Sequence, residues 1–294
     1  MKIIVTGSLG HISKPLTEIL TGAGHEVTVI SSDPGKVGAI EALGAKAAIG
    51  SVADVAFLTK TFTGADAVYT MVPPNFGVAN YRQYINDTGK NYAAAIKASG
   101  VTRVVNLSSI GAHLDKGTGP ITGLHDVELT LNALDNVAVK HLRAGFFYIN
   151  FFANIDMIKH NGILGNNYGE DARLMLVHPR DIAEAAAQEL QGSFSGKSYR
   201  YVISDEQNVS TLVKKLGAAI GKPDLPWVEF SDEDSLAGMT GAGIPPAIAS
   251  TFVEMGTAVR SGVLWEDYDK NKPAGLGKTK LDDFADEFAA VYKG

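Results

Sequence analysis

The 294-residue chain contains no cysteine. Disulfide bonds, thiolate metal ligands and a cysteine nucleophile are therefore excluded. Its seven histidines do not have the spacing of H-E-x-x-H or of another metal-binding motif. A G-x-S-x-G sequence is missing as well, so the chain lacks the nucleophile turn of an α/β-hydrolase. The sequence therefore gives no indication of a metal centre or of nucleophilic catalysis of these kinds.

Excess positive charge and long apolar runs are also missing. Lys and Arg number 26 against 32 Asp and Glu, which gives a net charge of −6 and argues against nucleic acid as a general partner. No stretch approaches the ~20 apolar residues that span a bilayer, and the chain begins directly with a predicted strand. We therefore expect a cytoplasmic protein without membrane association. An apolar fraction of 45% is ordinary for a globular protein of this size.

The first thirteen residues contain the most informative pattern. Ile3-Ile4-Val5 predicts a strand buried on both faces, and the turn that follows has the spacing Gly7-x-x-Gly10-x-x-Ser13. Ser13 is a candidate N-cap for a helix with Pro15 in its first turn. A strand that leads into a helix through glycines exposes free N–H groups and the positive end of the helix dipole. The turn is therefore a candidate site for a dinucleotide pyrophosphate, with serine in place of the usual third glycine.

Strand and helix patterns alternate through the next 130 residues, with short connections. We predict strands at 25–31, 47–50, 65–72, 102–109 and 138–143, and helices at 37–43, 52–62, 78–99 and 124–134. This alternation predicts an α/β fold with a Rossmann-type, doubly wound parallel sheet, in which ligands bind at the carboxyl ends of the strands.

The pattern changes after Gly145. Residues 146–152 are the densest aromatic run in the chain, and shorter strands and helices follow. We therefore divide the chain into a Rossmann domain at 1–145 and a small C-terminal α+β substrate lobe at 146–294, with 178–203 as a candidate to return to the first domain. A last amphipathic helix places Leu281, Phe284, Phe288 and Val291 on one face.

Several motifs together carry a family resemblance. They are the Gly7/Gly10 turn, Ser32-Asp33-Pro34-Gly35-Lys36, Val72-Pro73-Pro74, Leu107-Ser108-Ser109, Leu142-Arg143-Ala144-Gly145-Phe146-Phe147-x-x-Asn150, and His178-Pro179-Arg180-Asp181-Ile182-Ala183. In this order the chain resembles the NmrA-like family of atypical short-chain dehydrogenase/reductases. The resemblance implies NAD(P) bound across the strand ends and a hydride acceptor held by the small lobe.

The resemblance also implies which residues line the site. Cofactor-binding candidates are Gly7, Leu9, Gly10, His11, Ile12, Ser31, Ser32, Lys36, Val72, Pro73, Pro74, Ser108, Gly145 and Phe146, and substrate candidates are Phe147 and Asn150. Relatives that prefer NADPH often carry arginine at the position of Ser32. Even so, the second strand does not end with an Asp or Glu, which would accept hydrogen bonds from the ribose hydroxyls of NAD. Because Ser31, Ser32 and Lys36 are suited to a phosphate, we favour NADPH.

One departure from the family concerns catalysis. Classical relatives carry Tyr-x-x-x-Lys after the serine strand, whereas 119–128 contain neither Tyr nor Lys. The usual proton relay between alcohol and ketone is therefore excluded. His125 and Ser109 are the remaining candidate catalytic residues. His125 has an ordinary pKa suited to proton transfer, but a capping or surface histidine is an equal alternative, and strand-end serines often only close a turn.

Three functions are compatible with these features. The first is an NAD(P)H-dependent reductase of a planar acceptor such as a quinone, which needs no strong protein acid because the cofactor carries the chemistry. The second is a redox-sensing regulator that binds NAD(P) and a partner protein without turnover. The third, a sugar-nucleotide epimerase or dehydratase, usually requires the missing tyrosine. The sequence leaves open whether the protein forms a homodimer.

Overall fold

The computed structural model describes all residues 1–294 and contains twelve strands. They are β1 Lys2–Val5, β2 Glu26–Ser31, β3 Lys46–Ile49, β4 Ala67–Thr70, β5 Arg103–Ser109, β6 Ala138–Ala144, β7 Phe146–Phe147, β8 Leu164–Asn166, β9 Arg173–Val177, β10 Lys197–Val202, β11 Asp205–Asn208 and β12 Trp227–Glu229.

Twelve α-helices connect and follow these strands. They are α1 Ser13–Gly22, α2 Val37–Glu41, α3 Val55–Phe62, α4 Tyr81–Ser99, α5 Ile121–Asn132, α6 Ile155–Asn161, α7 Pro179–Gln191, α8 Val209–Ala219, α9 Asp232–Gly241, α10 Pro246–Ser261, α11 Glu266–Lys270 and α12 Leu281–Lys293. Short 3-10 helices lie at Pro34–Lys36, Tyr148–Asn154 and Val263–Trp265.

Seven strands form one parallel sheet in the order β10-β6-β5-β4-β1-β2-β3. In β1, Ile3 lies beside Val27 on one side and Ala67 on the other. Such apolar strands, buried on both faces, form where helices cover both sides of a sheet. The order reverses between β1 and β4, and a crevice for a ligand opens at such a point. The predicted Rossmann-type sheet is therefore confirmed.

Helices α1 and α7 pack together over one face of this sheet, and α3, α4 and α5 cover the other. The stripe predicted for α1 is present, since Leu16 and Leu20 are fully buried. A separate apolar core joins the aromatic segment after β7 to α8 and α12. Two small sheets belong to this second part, with orders β11-β9-β7 and β12-β8.

Residues 178–203 contribute to the large sheet. Strand β10 pairs in parallel with β6 along its whole length, from Lys197 beside Val139 to Val202 beside Ala144. Helix α7 crosses back over α1, where its alanine-rich face allows close packing. The sheet is therefore completed by a segment that follows the first strands of the small lobe.

The structure differs from several local predictions, and α3 and α4 each begin three residues after the predicted start. Ser13 is the first residue of α1 rather than its N-cap, because its hydroxyl donates to the Thr6 carbonyl oxygen at 2.7 Å. Helix α5 begins at Ile121, three residues before the predicted start. In α12, Leu281, Phe284 and Phe288 are fully buried as expected, but Val291 is 48% exposed because the helix extends beyond the core.

A buried histidine on β6 is hydrogen-bonded to β5 and α5. His141 is 2% exposed, and its Nδ1 lies 3.1 Å from Asn106 Nδ2. Asn106 Oδ1 accepts from Thr70 at 2.9 Å, so Asn106 Nδ2 is the donor and His141 Nδ1 the acceptor. His141 Nε2–H then donates to Asn132 Oδ1 at 3.0 Å. Burial lowers the pKa of His141 to about 4 and keeps the ring neutral.

We expect acid to destabilise the protein through this residue. Because the pKa is about 4 in the folded state against 6.5 in the free side chain, the unfolded state binds more protons between these values. The stability that depends on neutral His141 is therefore fully present above pH ~6.5. As the pH falls towards 4, the free energy of unfolding decreases by up to about 3 kcal/mol. Urea unfolding at several pH values measures the slope. His141→Gln should flatten it, and an unchanged slope in this variant would assign the effect to other groups.

Candidate active site

A cavity of about 820 Å³ lies at the carboxyl ends of β1, β2, β4, β5 and β6. It brings together most of the residues that the sequence singled out. Its lining includes Gly7, Gly10, His11, Ile12, Ser31, Ser32, Val72, Pro73, Pro74, Ser108, Ser109, Gly145, Phe146, Phe147 and Asn150. The size is that of a typical site for a small molecule, and its place at the reversal of strand order is typical of nucleotide sites.

The glycine turn forms one end of the cavity. Gly7 has a φ of +94°, and Ser8 lies in the left-handed region at +55°. A side chain at Gly7 would collide with the Ser13 hydroxyl, since a Cβ there would lie 2.5 Å from it. Ser13 therefore replaces the third glycine without loosening the turn, because it is 2% exposed and ties α1 to the end of β1.

Free main-chain donors lie where this turn meets α1. The N–H groups of His11, Ile12 and Ser13 donate to no acceptor in the protein, and all three residues line the cavity. At Gly10 a Cβ would meet only the Gly7 carbonyl oxygen, at 3.1 Å, so the space above this residue is open. Unbonded N–H groups at the positive end of a helix are suited to phosphate oxygens. The turn therefore fits a dinucleotide pyrophosphate.

The end of β2 forms the adjacent wall. Ser31 is 2% exposed, and its hydroxyl is bonded to the Ser8 hydroxyl at 2.9 Å. Ser32 is exposed and lines the cavity, whereas Lys36 lies outside the lining. Of the three residues suggested for the 2′-phosphate, Ser32 therefore has the most direct access, and no cation lies in this wall.

Pro73 and Pro74 follow β4 and line the cavity beside the turn. The Pro73 carbonyl oxygen accepts from the Tyr84 hydroxyl at 2.8 Å, which fixes the chain as it leaves the strand. At the end of β6, the backbone passes so close to β9 that only glycine fits at position 145. A Cβ there would lie 2.2 Å from the Met175 carbonyl oxygen of β9. These residues shape the wall through their backbone.

A buried charged network supports the end of β5. The Ser108 hydroxyl donates to Glu128 Oε1 at 2.6 Å, and Arg143 Nη2 donates to Glu128 Oε2 at 2.7 Å. Arg143 also contacts Asp267 of α11 at 3.1 Å, and Tyr201 donates to the same carboxylate. Burial opposes the charge of Arg143, but its contacts with Glu128 outweigh this effect and raise its pKa.

This network has two consequences for the cavity. The Ser108 proton is committed to Glu128, so Ser108 offers a lone pair rather than a proton to a ligand. Ser109 likewise donates to the Ile110 carbonyl oxygen, at 2.9 Å. The contact with Asp267 ties α11 to the sheet, next to Leu264 and Trp265 in the cavity wall.

Three candidates do not line the cavity. His125 Nδ1 is bonded to the Ala112 carbonyl oxygen at 2.8 Å, and neighbouring Leu124 lines the cavity instead. Leu9 packs against the core around β1 and α1, so only its backbone belongs to the turn. Lys36 is exposed one turn beyond the end of β2. The lining therefore favours the alternative in which His125 is a surface or capping histidine, and the catalytic role stays untested.

The aromatic run is divided between the cavity and the lobe core. Phe146 and Phe147 line the cavity, as does Asn150. Tyr148 is fully buried and stacks on Phe284 of α12 with ring centroids 4.9 Å apart. Of the aromatic side chains in this run, only Phe146 and Phe147 are therefore placed to contact a flat substrate in the cavity.

Sequence reasoning missed the wall that the lobe supplies. Phe252, Met255, Val259, Leu264 and Trp265 all line the cavity from α10 and the 3-10 helix after it. Their apolar spacing along α10 is visible in the sequence, but it is equally typical of a core-facing helix. Only the folded chain shows that this stripe faces the strand ends more than one hundred residues earlier.

The lining is nearly free of charge. It contains no Lys, Arg, Asp or Glu, and its titratable residues are His11, Tyr81 and Tyr84. Burial raises the pKa of Tyr81 to about 12, so its hydroxyl stays protonated at neutral pH. No group of three or more His, Asp or Glu side chains is arranged to hold a metal ion. None of the helices is both long enough and apolar enough to cross a membrane.

Comparison with known proteins was made for the sequence and for the fold. Residues 7–143 match a protein family described as NAD(P)H-binding. Among curated protein sequences, none is significantly similar to the chain. The expectation of an α/β fold of this kind is confirmed by the sheet, and the expected NAD(P)-binding domain agrees with the family match over residues 7–143.

Solved structures share the whole fold. The NADPH-dependent quinone oxidoreductase QOR2 from Escherichia coli, complexed with NADPH, is 22% identical, with a TM-score of 0.82 over 97% of this chain and 99% of that one. Triphenylmethane reductase from Citrobacter sp., complexed with NADP(H), is 20% identical, with a TM-score of 0.80 over 98% and 100%. A nucleoside-diphosphate-sugar epimerase from Staphylococcus aureus is 16% identical, with a TM-score of 0.79 over 97% and 100%. Because these proteins have different activities, the shared fold alone does not determine the activity of this chain.

Proposed function

We propose that the protein is an NADPH-dependent oxidoreductase that reduces an uncharged planar acceptor such as a quinone. The observation that carries the proposal is the continuity of the cavity. One end has the glycine turn with free N–H donors, and the other has an apolar wall from α10 without a charged side chain. The first end is suited to a pyrophosphate and the second to a flat apolar molecule.

The absence of cations from the lining argues against a sugar-nucleotide substrate. A second diphosphate needs partners besides the single helix N-terminus, and arginine or lysine usually supply them. The lining has neither. The stretch 119–128 also lacks the tyrosine and lysine that an epimerase or dehydratase of this fold usually requires.

Reduction of a quinone requires little from the protein's own acids and bases. When bound, NADPH supplies the hydride. The residues of the chain orient the cofactor, exclude water with the lobe wall and bring the acceptor close. Besides the hydride, reduction of the quinone takes up one proton, which water can supply, so neither His125 nor Ser109 is required as the acid.

The proposal is tested by following NADPH oxidation with a panel of uncharged quinones and flat dyes, with nucleoside-diphosphate sugars as the comparison. We expect turnover with the first group only. His125→Ala serves as a control, and it should leave turnover unchanged because the side chain lies outside the cavity. If NADPH binds tightly and no acceptor is reduced, the regulator that senses NAD(P) becomes the better assignment.

Preference for NADPH is expected to depend on Ser32. Ser32→Arg should strengthen NADPH binding by about 1.5 kcal/mol through a charge-assisted contact with the 2′-phosphate, and leave NADH binding nearly unchanged. Lys36→Ala should weaken NADPH binding by less than about 1.5 kcal/mol, because Lys36 does not line the cavity. Calorimetric titration with both cofactors measures the difference. Equal effects of Ser32→Arg on both would place the 2′-phosphate elsewhere.

A further inference from the structure

An aromatic contact joins the two parts of the chain at the edge of the cavity. Phe76, in the loop after β4, has its ring centroid 5.7 Å from that of Phe252 on α10, with the rings edge to face. It also contacts Tyr81 at 5.6 Å. All three residues line the cavity, and Phe76 is nevertheless 48% exposed. The pair of Phe76 and Phe252 therefore lies at the solvent edge.

The loop that carries Phe76 is held at its ends and loosely in the middle. Pro73 is fixed by Tyr84, and Asn80 caps α4 by accepting from the Gln83 N–H at 3.0 Å. No backbone–backbone hydrogen bond involves residues 74–79. The only side-chain hydrogen bond there joins Gly77 N–H to Asn75 Oδ1 at 3.1 Å, within the loop itself. Displacement of the loop therefore breaks few hydrogen bonds to the rest of the protein.

We propose that the contact between Phe76 and Phe252 is the entrance of the acceptor site and determines which acceptors bind well. A flat acceptor enters by separating the two rings and then stacks against Phe76, which replaces the contact with Phe252. The gain from stacking grows with the apolar area covered, so fused rings are favoured over a single ring. This inference rests on the proposed function, since it concerns the acceptor of that reaction.

The test compares 1,4-naphthoquinone with 1,4-benzoquinone at saturating NADPH in Phe76→Ala, Phe252→Ala and the double variant. We expect KM for the naphthoquinone to rise about three- to tenfold in Phe76→Ala, which loses the stacking ring, with kcat nearly unchanged. In Phe252→Ala the KM should stay the same or fall, because the contact that the acceptor displaces is already missing. For the benzoquinone the rise in Phe76→Ala should stay below about twofold. The double variant should resemble Phe76→Ala, because both lack the ring on which the acceptor stacks.

Two controls separate this role from a structural one. Phe76→Tyr keeps the ring and should have the KM of the wild type. Leu129→Ala removes an exposed apolar side chain on α5, outside the cavity, and should leave KM unchanged. Unchanged KM in Phe76→Ala, a rise in Phe252→Ala as large as that in Phe76→Ala, or equal rises for the two quinones in Phe76→Ala would overturn the proposal.

Binding distinguishes failure of this inference from failure of the proposed function. In a Trp227→Phe background, Trp265 is the only tryptophan, and it lines the cavity. Quenching of its fluorescence by 1,4-naphthoquinone measures binding without turnover. If the wild type reduces no acceptor but Phe76→Ala weakens this binding about three- to tenfold, the entrance is supported and the reductase is not. Unchanged quenching in Phe76→Ala would refute the entrance.

Discussion

Gly10→Asp is expected to abolish tight binding of NADPH while the protein stays folded. The new carboxylate would project into the open space beside the free N–H groups of His11, Ile12 and Ser13. It would occupy the position suited to a phosphate and repel the pyrophosphate charge. Opposed like charges at a binding site cost several kcal/mol, so affinity should fall roughly 100-fold or more.

The fold should tolerate this substitution. Gly10 is exposed, and a Cβ there would meet only one backbone oxygen. Gly22→Asp is the matched control, because it adds the same charge to the far end of α1, where nothing lies within 4 Å of the new Cβ. Calorimetry should show full NADPH affinity for Gly22→Asp. Unchanged affinity in folded Gly10→Asp would show that this turn does not bind the cofactor.

Removal of Glu128 is expected to give the largest loss of stability. Glu128 is 5% exposed and makes two hydrogen bonds with Arg143, which is 7% exposed. Glu128→Ala would leave Arg143 with Asp267 as its only remaining ion-pair partner and Ser108 without its acceptor. Removing one partner of a buried ion pair destabilises a protein by about 3–5 kcal/mol.

A more exposed ion pair, between α5 and Arg82 of α4, provides the control. Asp126 lies two residues before Glu128 and is paired with Arg82, whose side chain is 50% exposed. Asp126→Ala should cost less than about 1 kcal/mol, because water screens the pair. Urea unfolding of both variants measures the contrast. Equal losses would mean that the buried network does not hold the sheet and α11 together as described.

The sequence was most informative where structure is determined locally. The buried run Ile3-Ile4-Val5, the glycines that follow and the alternation of periods predicted the first strands and the position of the turn. These features depend on backbone sterics and on apolar faces, which neighbouring residues determine. The order of motifs then placed the strand ends, and with them Ser32, Pro73 and Ser108, around one cavity.

The remaining features depend on contacts that local patterns do not specify. Whether His125 faces the ligand depends on the rotation of α5, and successive helical residues differ by about 100°. Ile121 and Leu124 lie on the cavity side, so His125 is turned away. Phe252 and Trp265 reach the same cavity from a distant part of the sequence. Their apolar character predicts burial, but it does not predict what they are buried against.

The central claim is that one cavity binds NADPH and brings an uncharged flat acceptor to it for hydride transfer. Rapid mixing of the NADPH-bound protein with 1,4-naphthoquinone tests this most directly, with loss of the reduced-nicotinamide absorbance as the signal. The account predicts a single exponential loss that is slower when the transferred hydrogen of NADPH is deuterium. Stable absorbance in the presence of bound NADPH and excess quinone would contradict it.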